Sequence, residues 1–321
     1  MTSDDTYSVS AMIDSVRLGL GRKEQKELPC MYLYDELGSA LFEAICVLPE
    51  YGLARAGERL LRANCGELVR RLPRPVVVAE LGSGSGKNAR CLLEALSQRQ
   101  RSITYFPIEI SSSALSRCSR ELEGLEQVTV IEMKHEYLDG LREVGQRRSS
   151  KVYLLVLFLG STIGNFNRKS AIRFLQQVRR FMDPGDALVL GTDLVKPEEL
   201  LLKAYDDPTG VTAAFNLNLL ARLNRELGAD FVLPQFRHEA RFNRAQRRVE
   251  MHLRSLTRQK VSIAKAGMEI WFQEGESIWT ESSHKYAPDE LAEMASLSGF
   301  RLDVQWIDTE WPFAQTLLFA A

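Results

Sequence analysis

The sequence lacks most of what would tie a protein to a membrane, a metal or a polyanion. No run reaches eighteen apolar residues, so no membrane-spanning helix is predicted. The opening MTSDDTYSVSAMIDSVRLGLGRKEQ has no apolar core of a signal peptide. Five cysteines (Cys30, Cys46, Cys65, Cys91 and Cys118) make an odd set with no Cys-x-x-Cys pair, which predicts reduced thiols in a cytoplasmic protein. The four histidines, His135, His238, His252 and His284, lack the spacing of metal ligands, and no metal is expected. With 41 basic and 42 acidic side chains, there is no global field to draw the chain to nucleic acid or a membrane surface. A monomer is the default expectation.

What is present is an α/β pattern. VVVAEL (76–81), SITYFPIEIS (102–111), VTVIEM (128–133), KVYLLVLFLGS (151–161) and DALVLGTDLV (186–195) read as buried parallel strands, being short apolar runs closed by turn residues. Helical patterns precede or separate most of them: 9–20, 36–47, 57–72, 88–100, 112–125 and 169–182. The C-terminus adds a helix over 288–300 and two strands, 301–308 and 314–321, with no helix between them, as an antiparallel closing pair would. Between Lys196 and Glu281 the pattern changes. Helices are predicted over 197–205 and 211–229, then RRVEMHLRSL, QKVSIA, MEIWFQ and ESIWTESS alternate as an antiparallel meander. This predicts one domain from 57–195 and 285–321, and a second α+β lobe from 1–56 and 196–284.

The stretch AELGSGSGKNAR (79–90) carries three competing readings. A phosphate loop needs a glycine where Leu81 stands and a hydroxyl where Asn88 stands. A dinucleotide loop needs a third glycine at Lys87. Both fail, and a plain turn stays open. Glu-x-Gly-x-Gly-x-Gly suits S-adenosylmethionine: Glu80 can shape the loop and face the cationic half of the ligand, and Glu109, ending the second strand, can take both ribose hydroxyls. Gly82, Gly84, Gly86, Glu109 and the fourth strand's end at Gly160 converge on one crevice in such a sheet. The closing strand pair favours a class I methyltransferase over a nicotinamide-dependent oxidoreductase, and a non-catalytic S-adenosylmethionine-binding scaffold is a third possibility. The Asn/Asp-Pro-Pro-aromatic motif usual in nucleic-acid base methyltransferases is missing from FLGSTIGNF, and the clusters RRLPR and RQRRS read as solvated helix ends.

Longer strings are more specific. YLYDELGSALFEAICVLPEY, ELGSGSGK, FLGSTIGNF, LGTDLVK, AYDDPTGVTAAFN, LNRELGADF and VEMHLRS together resemble the L-histidine Nα-methyltransferases of ergothioneine biosynthesis, from about Leu28 to the C-terminus. The resemblance implies a class I (Rossmann-like) domain with a substrate-binding lobe. It also implies three successive methyl transfers from S-adenosylmethionine to the α-amine of L-histidine, giving hercynine. A relative acting on another amino acid or small amine is the alternative.

The resemblance also implies roles. Asn165 and Tyr205 would hold the substrate carboxylate, and Tyr34 with the backbone at Gly160 would lie near the amine. Tyr51 would lie near the imidazole, Glu281 and Ser283 would bind it, and Met251 would line the same pocket. Lys87, Glu136 and Tyr137 would join Glu80, the three glycines and Glu109 around the cofactor. Glu281, Ser283 and Trp279 share one face of a strand, as do Val249, Met251 and Leu253. Taken alone, Met251 reads as core and Glu281 as a surface acid. The chain departs from the family pattern at Gly52, where many members have a second tyrosine, at Glu109, where aspartate is common, at HEYL, which replaces a GDF-type motif, and in a glycine loop one residue shorter.

Overall fold

The computed structural model describes residues 9–321. The first eight residues, part of the stretch read for a signal peptide and of the expected 1–56 segment, lie outside them. Helix α1 (Val9–Leu20) forms where the periodicity predicts, with Met12, Val16 and Leu20 as its buried stripe. The two-residue strand β1 (Lys26–Glu27) and helix α2 (Glu36–Cys46) follow; Asp35 opens α2 by accepting from the Gly38 amide at 2.7 Å. These elements fold with the segment after residue 195 as one unit (Met1–Tyr51 and Lys196–Ser283), and Gly52–Val195 with His284–Ala321 forms the other.

In the first unit, α8 (Glu198–Tyr205) and α9 (Val211–Leu227) are the predicted helices. The predicted meander does not form. Strand β7 (Phe236–Asn243), unexpected from sequence, pairs antiparallel with β8 (Arg248–Ser255), and the four-stranded sheet runs β1-β11-β8-β7, where β11 is Ser277–His284. The hairpin of β9 (Gln259–Ile263) and β10 (Met268–Phe272), which lies between β8 and β11 in sequence, makes a sheet of its own. Alternation marks a half-buried strand but carries no information on its partner.

Helix α9 organises this unit. On one side Asn218, Arg222 and Arg225 reach the segment before α2: Asn218 and Arg225 bond Asp35 at 2.7 and 2.6 Å, and Arg222 donates to the Tyr32 carbonyl at 3.0 Å. Their spacing of four and three puts them on one helical face. Asn216 points elsewhere, into the sheet.

The second unit is built on a seven-stranded sheet in the order β12-β13-β6-β5-β2-β3-β4. Its strands are β2 (Val76–Leu81), β3 (Ile103–Ile108), β4 (Val128–Val130), β5 (Tyr153–Phe158), β6 (Ala187–Asp193), β12 (Phe300–Asp308) and β13 (Phe313–Ala320). The first five are parallel, and β13 is antiparallel to both β6 and β12. This is the class I methyltransferase sheet. Alternate side chains along β5 serve opposite cores: Leu155 and Leu157 pack with α3 (Gly52–Arg71), α4 (Lys87–Ser97) and α5 (Ser112–Glu121). Leu154, Val156 and Phe158 pack with α6 (Tyr137–Arg147), α7 (Arg168–Arg179) and α10 (Glu290–Leu297).

Three details differ from expectation. Helix α3 starts at Gly52, five residues before the predicted 57. Helix α6 was not predicted, because its Glu136 cap and two internal glycines hide a short apolar stripe of Leu141 and Val144. Strand β4 ends at Val130 although the chain continues beside β3 to Met133. Pro107 has no N–H to continue the ladder there, while its carbonyl still accepts from Met133 at 3.0 Å.

Candidate active site

Three glycines turn the chain between β2 and α4, at φ 73° (Gly82), 52° (Gly84) and 78° (Gly86). Side chains would be strained there, and would also collide: a Cβ on Gly86 would stand 2.6 Å from Cys118 Sγ, and one on Gly82 would stand 3.1 Å from the Tyr137 hydroxyl. Glu109 faces the same loop. One carboxylate oxygen accepts from the amides of Ile110 (2.8 Å) and Ser111 (3.2 Å), and the nearby Gly84 amide also favours the charged form. Burial raises the Glu109 carboxyl above its ordinary range, and these amides oppose the rise.

Glu80 is only 2% exposed, and its carboxylate accepts from the Tyr105 hydroxyl, itself 3.7 Å from Cys118 Sγ. Burial lifts the Glu80 carboxyl to about 8; the Tyr105 bond opposes this and the Glu109 charge adds to it. The remaining predicted cofactor residues divide. Tyr137 packs edge-on against Phe158 and Phe174 (5.7 and 6.2 Å), while Glu136, the α6 cap, and Lys87, the first residue of α4, are exposed.

The chain leaves β5 through Gly160 and Ser161, at φ 70° and 61°, into a single turn, Thr162–Asn165. Asn165 is half-buried at the end of that turn. The turn is anchored from below. The Asp193 amide donates to Ser161 Oγ at 2.8 Å, the Tyr286 hydroxyl to the Ile163 carbonyl at 3.3 Å, and a Cβ on Gly164 would lie 3.0 Å from the His284 carbonyl oxygen. Asp193 is in turn paired with Lys285 at 2.8 Å and accepts from Trp311 Nε1 at 3.0 Å. The chain runs from β2 through β3 to β4 in one direction and then to β5 and β6 in the other. The glycine loop and the Gly160–Asn165 turn therefore flank the switch point, where open α/β sheets bind ligands.

The other predicted residues belong to the first unit. The Tyr205 hydroxyl donates to Ser283 Oγ at 2.7 Å, and the Tyr205 and Tyr51 rings meet edge-on at 6.0 Å. Tyr51 is buried, which raises its phenol well above 10; Tyr205, Cys46, Tyr34 and Glu281 add smaller contributions of the same sign. Phe42 and Phe215 complete an aromatic cluster with Tyr34 (5.5 and 5.4 Å). Met251 is buried on β8, its carbonyl 3.0 Å from the Thr280 hydroxyl of β11. Glu281, half-buried, lies close enough to Cys30 to add to the effect of burial that pushes that thiol up to about 12. Tyr34, Tyr51, Tyr205, Glu281 and Ser283 thus gather around one locus.

Residues 12–320 match the family of S-adenosylmethionine-dependent histidine-specific methyltransferases. Histidine N-alpha-methyltransferase from Mycobacterium tuberculosis is 39% identical over 92% of this chain and 91% of its own length. The protein of the same name from Mycolicibacterium smegmatis is 38% identical over 97% and 95%. The chain belongs to this family. Ergothioneine biosynthesis protein 1 of Neurospora crassa is 32% identical over 63% of this chain and 23% of that protein. Within the family pattern, the glycine at position 52 has a local cause: any side chain there would enter the Trp311 ring, whose Cε3 would lie 2.3 Å from the added Cβ.

Several residues of these loci carry no signal in the sequence. Tyr105 and Cys118, beneath the glycine loop, read as core. Asp193 and Lys285 sit 92 residues apart, and nothing local pairs them. Asn216 was legible in principle, as an amide in the apolar stretch AAFNLNLLARL. All five cysteines are free thiols, and among the described residues no group of three potential ligands could hold a metal ion. No described helix is long and apolar enough to cross a membrane.

Proposed function

We propose that this protein methylates the α-amine of L-histidine with S-adenosylmethionine, through to the trimethylated betaine hercynine. The observation that carries the reading is the union of Tyr51, Tyr205, Glu281 and Ser283 in one buried locus of a chain that matches the histidine-specific family over nearly its whole length. An imidazole presents one N–H and one lone pair. The Glu281 carboxylate suits the N–H. Ser283 accepts from Tyr205, and a serine hydroxyl is a group that can also donate to a bare ring nitrogen. A site arranged in this way rejects side chains that leave its polar groups unpaired.

The second unit fits S-adenosylmethionine. The glycine loop takes positive φ at Gly82, Gly84 and Gly86 and opens α4, and the Glu109 carboxylate stands beside it at the end of β3. When bound, S-adenosylmethionine supplies an electrophilic methyl group for in-line displacement by an amine lone pair. The amine must be neutral to react, and each of the first two transfers releases a proton. In the first unit Tyr34 is assigned to the amine, and the one proton of Tyr205 is committed to Ser283. No strong base is required of these residues, so catalysis rests chiefly on holding the amine in line. The test is to supply S-adenosylmethionine with each amino acid in turn and follow S-adenosylhomocysteine. Histidine should stand out; turnover with another amino acid and none with histidine refutes the substrate assignment and leaves the fold untouched.

A further inference from the structure

Asn216, on α9, is wholly buried, and its amide uses every hydrogen-bonding group it has. Nδ2 lies 2.9 Å from His238 Nδ1 on β7 and 3.2 Å from the His252 carbonyl on β8, and Oδ1 accepts from the Thr280 hydroxyl of β11 at 2.7 Å. One side chain thereby fastens the helix to three neighbouring strands of the sheet. The other nitrogen of His238, Nε2, lies 2.7 Å from the carbonyl oxygen of Tyr205, the last residue of α8. These contacts fix the protonation of the ring. A carbonyl cannot donate, so Nε2 carries the hydrogen; the Asn216 amide nitrogen has no lone pair to offer, so Nδ1 is bare. His238 is the neutral Nε2–H tautomer, as its burial also favours.

The consequence concerns two of the proposed substrate contacts. Tyr205 is held at both ends, by His238 at its backbone and by Ser283 at its hydroxyl. Ser283 and Glu281 ride on β11, and Thr280, the residue before Glu281, is the point at which Asn216 grips that strand. We propose that Asn216 and His238 are positioning residues for amino-acid recognition, setting the Tyr205 backbone against the strand that carries Glu281 and Ser283 without touching substrate themselves. The inference rests on the assignment of Tyr205, Glu281 and Ser283 to substrate binding.

Two variants of one residue separate positioning from mere core packing. His238→Gln places an amide N–H where Nε2 was and keeps the bond to Tyr205. His238→Asn keeps a partner for Asn216 and loses the bond to Tyr205. Histidine affinity is measured by calorimetry with S-adenosylhomocysteine saturating, alongside S-adenosylhomocysteine affinity and the thermal midpoint. The Asn variant should weaken histidine binding about tenfold or more, and the Gln variant by no more than about threefold, with S-adenosylhomocysteine affinity within about twofold of the parent in both. In turnover, the loss should fall mainly on KM for histidine. Equal histidine affinities in the two variants, or losses that follow the thermal midpoint and extend to S-adenosylhomocysteine, overturn the inference while the parent still binds histidine. A parent that binds no histidine overturns the site assignment itself, and the inference with it.

Discussion

The hydroxyl of Tyr205 donates to Ser283 Oγ at 2.7 Å across 78 residues of sequence. The bond joins the end of α8 to β11 and couples two of the residues proposed to bind substrate. Tyr205→Phe and Ser283→Ala should each weaken histidine binding about tenfold, and the double variant should lose clearly less than the product of the two. A double-mutant cycle measured by calorimetry decides; strict additivity would mean that the two hydroxyls act independently.

Glu80 offers a proton-linked test of the cofactor site. Burial holds its carboxyl at about 8, so much of it is protonated at neutral pH. A cationic ligand beside it favours the charged form and expels the proton. Binding of S-adenosylmethionine at pH 7 should therefore release protons, seen as a dependence of the calorimetric enthalpy on the buffer's ionisation heat, and Glu80→Gln should reduce that release. An unchanged release in the variant would detach Glu80 from the ligand.

Gly86 makes the loop geometry measurable. Its φ of 78° and the 2.6 Å approach of Cys118 Sγ to an added Cβ are separate obstacles. Gly86→Ala should destabilise the protein by about 1–3 kcal/mol and weaken S-adenosylhomocysteine binding. Adding Cys118→Ala should recover part of the loss, since it removes the collision and leaves the backbone strain. No recovery at all would place the whole penalty in φ.

Asp207 tests the start of α9. Its carboxylate accepts from the amides of Thr212 (2.7 Å) and Val211 (3.1 Å) and from the Thr209 hydroxyl. Burial alone would raise this carboxyl, but the hydrogen bonds outweigh it and hold it below the usual range. A depressed folded pKa contributes stability above the unfolded carboxyl range and loses it as pH falls through that range toward the folded value. Asp207→Asn should cost about 1 kcal/mol at neutral pH, and the gap to the parent should narrow below about pH 4 in denaturant titrations. A gap that stays constant with pH would remove the carboxylate's charge from the explanation.

The sheet was legible because its central strands are buried on both faces. VVVAEL and YLLVLF are nearly unbroken apolar runs, and glycines stop both chains at the ligand side. The edges were not. Strand β7, FRHEARFN, pairs on one side only and carries charges that hide its alternation, and α6 hides its stripe behind glycines. Motif strings named Tyr205, Glu281 and Ser283 as neighbours of one ligand. The bond between Tyr205 and Ser283, and the hold of Asn216 and His238 behind it, come from side chains meeting across a sheet, which no local spacing encodes.

The product itself tests the central claim most directly. The protein is incubated with S-adenosylmethionine and L-histidine, and the methylated product is located by tandem mass spectrometry and proton NMR. The account predicts mono-, di- and finally trimethylated histidine with every methyl on the α-nitrogen and an unmodified imidazole. Methyl groups on a ring nitrogen, or histidine recovered unchanged while another amine is methylated, would contradict it.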